Sequence, residues 1–214
     1  MDDSQGLRER KKQRTYEAIS ETAIALFLDR GFDQVSVSEI AERAEVSRPT
    51  LFRYFPAKED MALHRFADHE DEAARVVRAR ESGESPLDAL RRHFLDGLDR
   101  RDPVTGLCDD PRVLAFHRLL YGTPSLVARL HAYTGRSEDA LAGALREAAP
   151  RGALPGLTAR LAASQIVAVQ RILAMENWRR IADGASADEI HDDAVTAAGH
   201  AFGLLAGGLA PGRR

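Results

Sequence analysis

Residues 35–61, VSVSEIAERAEVSRPTLFRYFPAKEDM, decide how the whole chain reads. Ser36-Val37-Ser38-Glu39 has the S-x-x-E form of a capping box, in which the serine hydroxyl accepts the third amide of a helix and the glutamate reaches back to the cap's own amide. The spacing predicts a short helix there, with Val37, Ile40, Ala41 and Ala44 as its apolar stripe. Three residues later Ser47 offers a second N-cap, and Pro49 follows in the first turn, where its missing N–H costs nothing. A second short helix, Arg48 to Phe55, is expected from that cap. Two short helices joined by the three-residue turn Ala44-Glu45-Val46 have the dimensions of a helix-turn-helix, whose second helix fits a DNA major groove. On that second helix Leu51, Phe52 and Phe55 are expected to turn inward, leaving Arg48, Thr50, Arg53 and Tyr54 outward. A guanidinium can take guanine O6 and N7 together, and a hydroxyl or phenol can donate to a phosphate oxygen.

The flanking sequence is helical in period throughout. Tyr16, Ile19, Ala23, Leu26 and Phe27 lie on one face of a predicted helix from Arg14 to the stop at Gly31. A longer helix is expected from Pro56 toward Arg80. Ser85-Pro86 then opens one striped by Leu87, Leu90, Phe94 and Leu98. Residues 99–111 read as irregular, Asp110-Pro111 as the start of a short helix ended by Gly122, and Thr123-Pro124 as the start of a long one that lasts to Pro150. Two final helices, Leu157 to Ile181 and Ser186 to Leu209, follow a Pro- and Gly-rich loop, and the closing PGRR reads as a tail. Alternating strand patterns are almost absent, so the expectation is an all-α chain of about nine helices. Its division is a flexible basic arm over 1–13, a three-helix helix-turn-helix domain over 14–60 and a larger helical domain over 61–210.

Composition narrows the function classes. The 214 residues are 44% apolar and 29% charged, which supports a folded core, and 30 basic against 33 acidic side chains leave a net charge of −3. DNA binding by overall basicity is thereby excluded, and any such binding must come from local placement. One such placement is Arg8, Arg10, Lys11, Lys12 and Arg14 against Glu9, a local excess that also suits a plain solvated tail. The single cysteine, Cys108, rules out an intramolecular disulfide, which fits a reducing cytoplasm. No apolar run approaches a membrane span.

Over residues 14–63 the sequence resembles the N-terminal signature of the TetR family of bacterial transcription regulators. The resemblance implies a three-helix DNA-binding domain, a larger ligand-sensing helical domain, and a homodimer that leaves its double-stranded operator DNA when a small-molecule effector binds. Carried onto this chain it makes Ser36, Ser38, Tyr54 and Lys58 phosphate contacts and puts Arg48, Thr50 and Arg53 nearest the bases. The chain departs from the pattern in two places. Glu45 stands where the family often has Gly, and Phe52 where Tyr is frequent, which removes a hydroxyl from the DNA side. In the second half, PLDALRRHFLDGL, LLYGTPSLVARL and a late Trp resemble family members that bind acyl-CoA-like ligands, including mycofactocin-associated regulators.

The inward faces of the middle helices nominate Phe94, Leu98, Phe116, Leu120, Leu126, Gln170 and Trp178 as lining an effector pocket, although such stripes are equally those of plain core. The last two helices carry Ile166, Val169, Ile172 and Leu173, and Val195, Ala198, Phe202 and Leu205; one such hairpin from each protomer can form a four-helix dimer interface. Gly199, Gly203, Gly207 and Gly208 in the last helix point to close helix approach there or, for the last pair, to a fraying end. An enzymatic or metal-binding helical protein is the alternative. Its best support is His64 with Asp68 and His69 with Glu72 at helical spacing, but no HExxH, P-loop, GxGxxG or GxSxG frame accompanies them, and acids beside Cys108 do not activate a thiol. Neither catalysis, nor a cofactor, nor a metal is expected.

Overall fold

The computed structural model describes residues 3–150 and 153–207, with side chains for all of these except 3–9 and 65–68. The segment 208–214, with the expected PGRR tail, lies outside the described residues. Among the described residues there are ten α-helices and no strand: α1 Asp3–Arg30, α2 Val37–Arg43, α3 Arg48–Tyr54, α4 Lys58–Asp68, α5 Glu72–Arg78, α6 Pro86–Asp99, α7 Pro111–Gly122, α8 Pro124–Ala148, α9 Gly156–Ala182 and α10 Ala187–Gly207. A single 3-10 turn, Pro103–Thr105, interrupts the segment expected to be irregular. The chain divides into two compact units, one of residues 1–67 with 115–131 and one of 68–114 with 132–214. The sequence division at residue 60 coincides with neither boundary, because α7 and the start of α8 join the N-terminal unit.

Two elements differ from expectation for local reasons. The basic stretch expected as a flexible arm continues α1 from Asp3, since Lys, Arg, Gln and Glu are good helix formers and Gln13 donates to Glu17 one turn on at 2.9 Å. The helix expected from Pro56 to Arg80 breaks into α4 and α5 at His69-Glu70-Asp71. There the acidic run 68–72 sets like charges within one turn of each other, and Asp71 at φ −104° leaves the helical range.

The caps form largely as the sequence requires. Ser47 accepts the Thr50 amide at 3.2 Å, Ser85 the Asp88 amide at 3.1 Å, and Ser186 with Glu189 completes a reciprocal box at 3.2 and 2.8 Å. The first box differs. Ser36 accepts the Glu39 amide at 3.1 Å, but the Glu39 carboxylate pairs with Arg30 of α1.

In the N-terminal unit Ile19, Ala23, Phe27, Ile40, Leu51, Phe55, Met61, Leu63, Leu120 and Leu126 are buried. The Ser20 hydroxyl donates to the Met61 carbonyl at 2.8 Å, tying α1 to α4. Asp60, almost fully buried, accepts the Ala57 amide at 3.1 Å and holds Arg129 of α8 in a two-point ion pair at 2.7 and 2.9 Å. In the second unit the core gathers Leu90, Phe94, Leu98, Leu141, Ala163, Ile190 and Phe202. The loop after α6 is pinned to α9 by Asn177, whose buried side-chain amide donates to the Thr105 carbonyl at 2.9 Å. Gly106 beside it has φ +72°, and a Cβ there would stand 1.9 Å from the Ala174 carbonyl oxygen, so the close approach requires glycine.

Phe202, Ile166 and Ala198 correct the expected dimer face. All three are buried inside their own chain, Phe202 with its ring centroid 6.1 Å from Phe94. The large apolar residues left exposed on the described part of the last two helices are Leu157, Leu161 and Ile172 of α9 and Leu204 of α10. At 100° per residue Leu157, Leu161 and Ile172 fall on the side of α9 opposite buried Ala159, Ala163 and Ile166, so α9 has two apolar faces.

Candidate nucleic-acid interface

The turn between α2 and α3 is built by a left-handed residue. Glu45 has φ +53°, the Val46 amide donates to the Ala41 carbonyl at 2.9 Å and the Glu45 amide to the Glu42 carbonyl at 3.1 Å, the paired closure by which helices end when the next residue is left-handed. A residue with a Cβ therefore holds the conformation that glycine adopts without strain. Behind the turn, α3 is fastened by its inward residues. Leu51 and Phe55 are fully buried, and the Tyr16 ring of α1 stacks on Phe55 at 4.3 Å while meeting the His64 ring of α4 edge-on at 4.3 Å. A rigid base of three helices therefore carries the outward face of α3.

The unit brings together all seven expected DNA-contact residues, but not on equal terms. Ser36, Ser38, Arg48 and Arg53 are exposed, while Thr50, Tyr54 and Lys58 are half-buried. Thr50 shares a 2.8 Å hydrogen bond between its hydroxyl and that of the Ser47 cap. The Arg53 guanidinium lies 5.5 Å from the centroid of the Tyr54 ring, and Tyr54 in turn is 6.2 Å from Tyr16. Lys58 donates to the Phe32 carbonyl and places its ammonium 4.2 Å from the Phe32 ring centroid and 5.4 Å from that of Phe27; burial lowers its pKa from the usual lysine range. Its charge thus fastens the start of α4 to the turn after α1. Arg10, Lys11, Lys12 and Arg14 are exposed on α1; the side chains of Arg8 and Glu9 lie outside those described.

Phe52 departs from the reading as an inward residue. It is 44% exposed, whereas Leu51 and Phe55 are fully buried. The signal was in the spacing: at 100° per residue, Phe52 stands 60° from Phe55 and 100° from Leu51, off the buried stripe that those two share.

The residues nominated for an effector pocket fall in both units. Phe94 and Leu98 are buried core of the second unit, where Gln170 and Trp178 are half-buried; Leu120 and Leu126 are buried in the first, where Phe116 is half-buried. None of the seven lines either of two polar clefts of the second unit. One, of about 130 Å³, is bounded by Gly135, Glu138, Asp139, Arg160 and Ser164, and the other, of about 330 Å³, by residues of α6 and Glu84. Of the histidine pairs considered as metal ligands, His69 does meet Glu72, which accepts from His69 at 2.6 Å and from His93 at 3.0 Å, and these bonds hold its carboxyl far below the usual carboxylate range. Among the described residues no group of three or more His, Cys, Asp or Glu is placed to hold a metal ion, and no helix is long and apolar enough to cross a membrane.

Residues 19–64 match the family described as bacterial regulatory proteins, tetR family. Over 135 residues the chain is 36% identical to the HTH-type transcriptional regulator TcmR of Streptomyces glaucescens, covering 63% of this chain and 58% of that one. It is also 36% identical over 120 residues to MftR of Mycobacterium tuberculosis, named for regulating mycofactocin biosynthesis, covering 52% of this chain and 61% of the relative. The chain thus spans about three-fifths of each relative's length. The fold is similar to that of NalD from Pseudomonas aeruginosa, the secondary repressor of the MexAB-OprM multidrug efflux pump, with a TM-score of 0.56 at 19% identity, over 88% of this chain and 97% of that one.

Proposed function

We propose that the chain is a member of the tetR family of bacterial regulatory proteins and a homodimeric transcription repressor released from operator DNA by a small molecule, a reading supported by the match over residues 19–64 and by the similarity to TcmR. The observation that carries the reading is α3, where Arg53 is exposed on the side opposite fully buried Leu51 and Phe55 and Arg48 is exposed in its first turn, on a helix locked into a three-helix base. Thr50 stands with the two arginines nearest the bases, Ser36, Ser38, Tyr54 and Lys58 surround them as phosphate contacts, and the exposed cations of α1 add sequence-independent attraction. The proposed site of action is the cytoplasm.

Binding titrations on a duplex selected from a random pool test this reading. Arg53→Ala is expected to lose about 1–3 kcal/mol of discrimination between selected and random DNA, the range for a base-reading arginine. Lys58→Ala is expected to weaken both duplexes alike and to reduce the salt slope by about 0.9, the share of one phosphate contact. Equal behaviour of the two variants removes the assigned roles.

Dimerisation is assigned to the exposed apolar side of α9, Leu157, Leu161 and Ile172, together with Leu204 of α10. Apart from the chain neighbours and the backbone of their own helix, no described atom lies within 4 Å of where a Cβ of Gly203 or Gly207 would be, which leaves room for a second copy to approach. Ile172→Glu with Leu204→Glu should give monomers by light scattering, and a stable dimer would move the interface elsewhere. For the effector, the resemblance of the second half supports an acyl-CoA-like molecule, with Phe94, Leu98, Gln170 and Trp178 of the second unit as the residues whose repacking would admit it. Native mass spectrometry of the purified protein, followed by operator titration with any retained molecule, tests that assignment; a retained molecule of another class refutes it.

A further inference from the structure

We infer that Phe52 reads the 5-methyl group of a thymine in each operator half-site, an assignment that rests on the DNA-binding reading above. Its ring is 44% exposed on a helix otherwise anchored by fully buried Leu51 and Phe55. Counting 100° per residue from Arg48, Phe52 lies 40° round the helix and Arg53 140°, so the ring stands between the two exposed arginines, on the flank of the outward side 60° from buried Phe55. An approach that brings both arginines to the duplex brings this ring with them.

The chemistry selects its partner. A phenyl ring offers neither donor nor acceptor, so it cannot use the hydrogen-bonding edges by which guanine, cytosine and adenine are distinguished in the major groove. Thymine alone presents an apolar group there, its C5-methyl, and contact with an apolar side chain is a known means of reading it. A tyrosine at this position would carry a hydroxyl able to reach a phosphate instead; the missing oxygen turns a positioning contact into one that depends on sequence. The ring loses no hydrogen bond on docking, and the methyl leaves water on contact, so the interaction needs no change in the fold.

The test needs no variant at its first step. In the duplex selected by the wild-type protein, each thymine is replaced in turn by deoxyuridine, which removes the methyl and nothing else. Binding is then titrated by fluorescence anisotropy. One thymine in each half-site should lose about fourfold on replacement, the value of one buried methyl-sized group, and replacing both should lose roughly fifteenfold. Phe52→Ala should bind the thymine duplex about as weakly as the wild type binds the doubly replaced one, and should no longer distinguish the two. A wild-type protein indifferent to every replacement, or a Phe52→Ala variant that keeps the discrimination, overturns the inference while leaving DNA binding intact. A random pool that yields no enriched duplex overturns the DNA-binding reading itself, and this inference with it.

Discussion

Removal of the Arg129 side chain should destabilise the protein far more than loss of an ordinary surface ion pair. Asp60 is 8% exposed at its side chain and accepts from Arg129 Nε at 2.7 Å and Nη2 at 2.9 Å, while its Oδ2 also accepts the Ala57 amide at the start of α4. Truncating one partner of a fully buried pair costs about 3–5 kcal/mol, because a desolvated charge is left behind, whereas exposed pairs are worth about 0.2–1 kcal/mol. Here the carboxylate is buried but the guanidinium is 42% exposed, so water can follow the truncated side chain in and the cost falls between these limits. Arg129→Ala should therefore cost about 2 kcal/mol, or roughly 4–8 °C in Tm for a chain of this size. Asp60→Ala removes the pair and the cap together, the cap being worth about 1 kcal/mol. The double variant should be less damaged than the sum of the two, with a coupling of about 1–2 kcal/mol. Urea unfolding followed by circular dichroism and by fluorescence gives the three differences, provided the two probes coincide. A coupling below about 0.3 kcal/mol would mean that the pair is screened like a surface contact, and the argument from burial would fail.

Glu45→Gly should stabilise the protein by about 0.5 kcal/mol, since relief of a left-handed Cβ, about 1–2 kcal/mol, exceeds the added unfolded-state entropy of glycine, about 0.5–1 kcal/mol; a lower urea midpoint refutes this. Gly106→Ala should cost more than about 2 kcal/mol, because a methyl 1.9 Å from the Ala174 carbonyl oxygen must force the loop off α9 and φ is +72° as well, and an unchanged Tm would contradict that contact. His191 bonds to Asp192 first and to Asp99, which raise its pKa above the usual histidine value. A raised folded pKa contributes stability that is complete below about pH 6.5 and is lost as pH rises through the folded value, so wild-type stability relative to His191→Gln should shrink across that window. A difference that grows with pH would reverse the assignment.

The features legible before folding lie within a turn or two of the residues that encode them. Ser47 with Pro49, Ser85 with Pro86, and Ser186 with Glu189 start their helices through bonds spanning three residues, and Ala44-Glu45-Val46 sets the length of the turn between α2 and α3 without reference to any distant residue. Helical period and these caps were therefore enough for the all-α class and for the helix-turn-helix. Tertiary structure decided whatever depends on which of several suitable partners a side chain meets. α9 is apolar on two sides, and only packing tells that Ala163 and Ile166 face inward while Leu161 and Ile172 stay outside. Phe202 reads equally well as core or interface until Phe94 is found beside it. Lys58 is named at a helix start by the sequence, and only the fold brings the Phe32 carbonyl, 26 residues earlier, against its ammonium. Asp60 and Arg129 are 69 residues apart, and neither is surrounded by a local pattern that names the other. The physical reason is common to these cases: capping and periodicity are paid in bonds between near neighbours, whereas burial is shared among faces of similar hydrophobicity, and only the folded chain chooses between them.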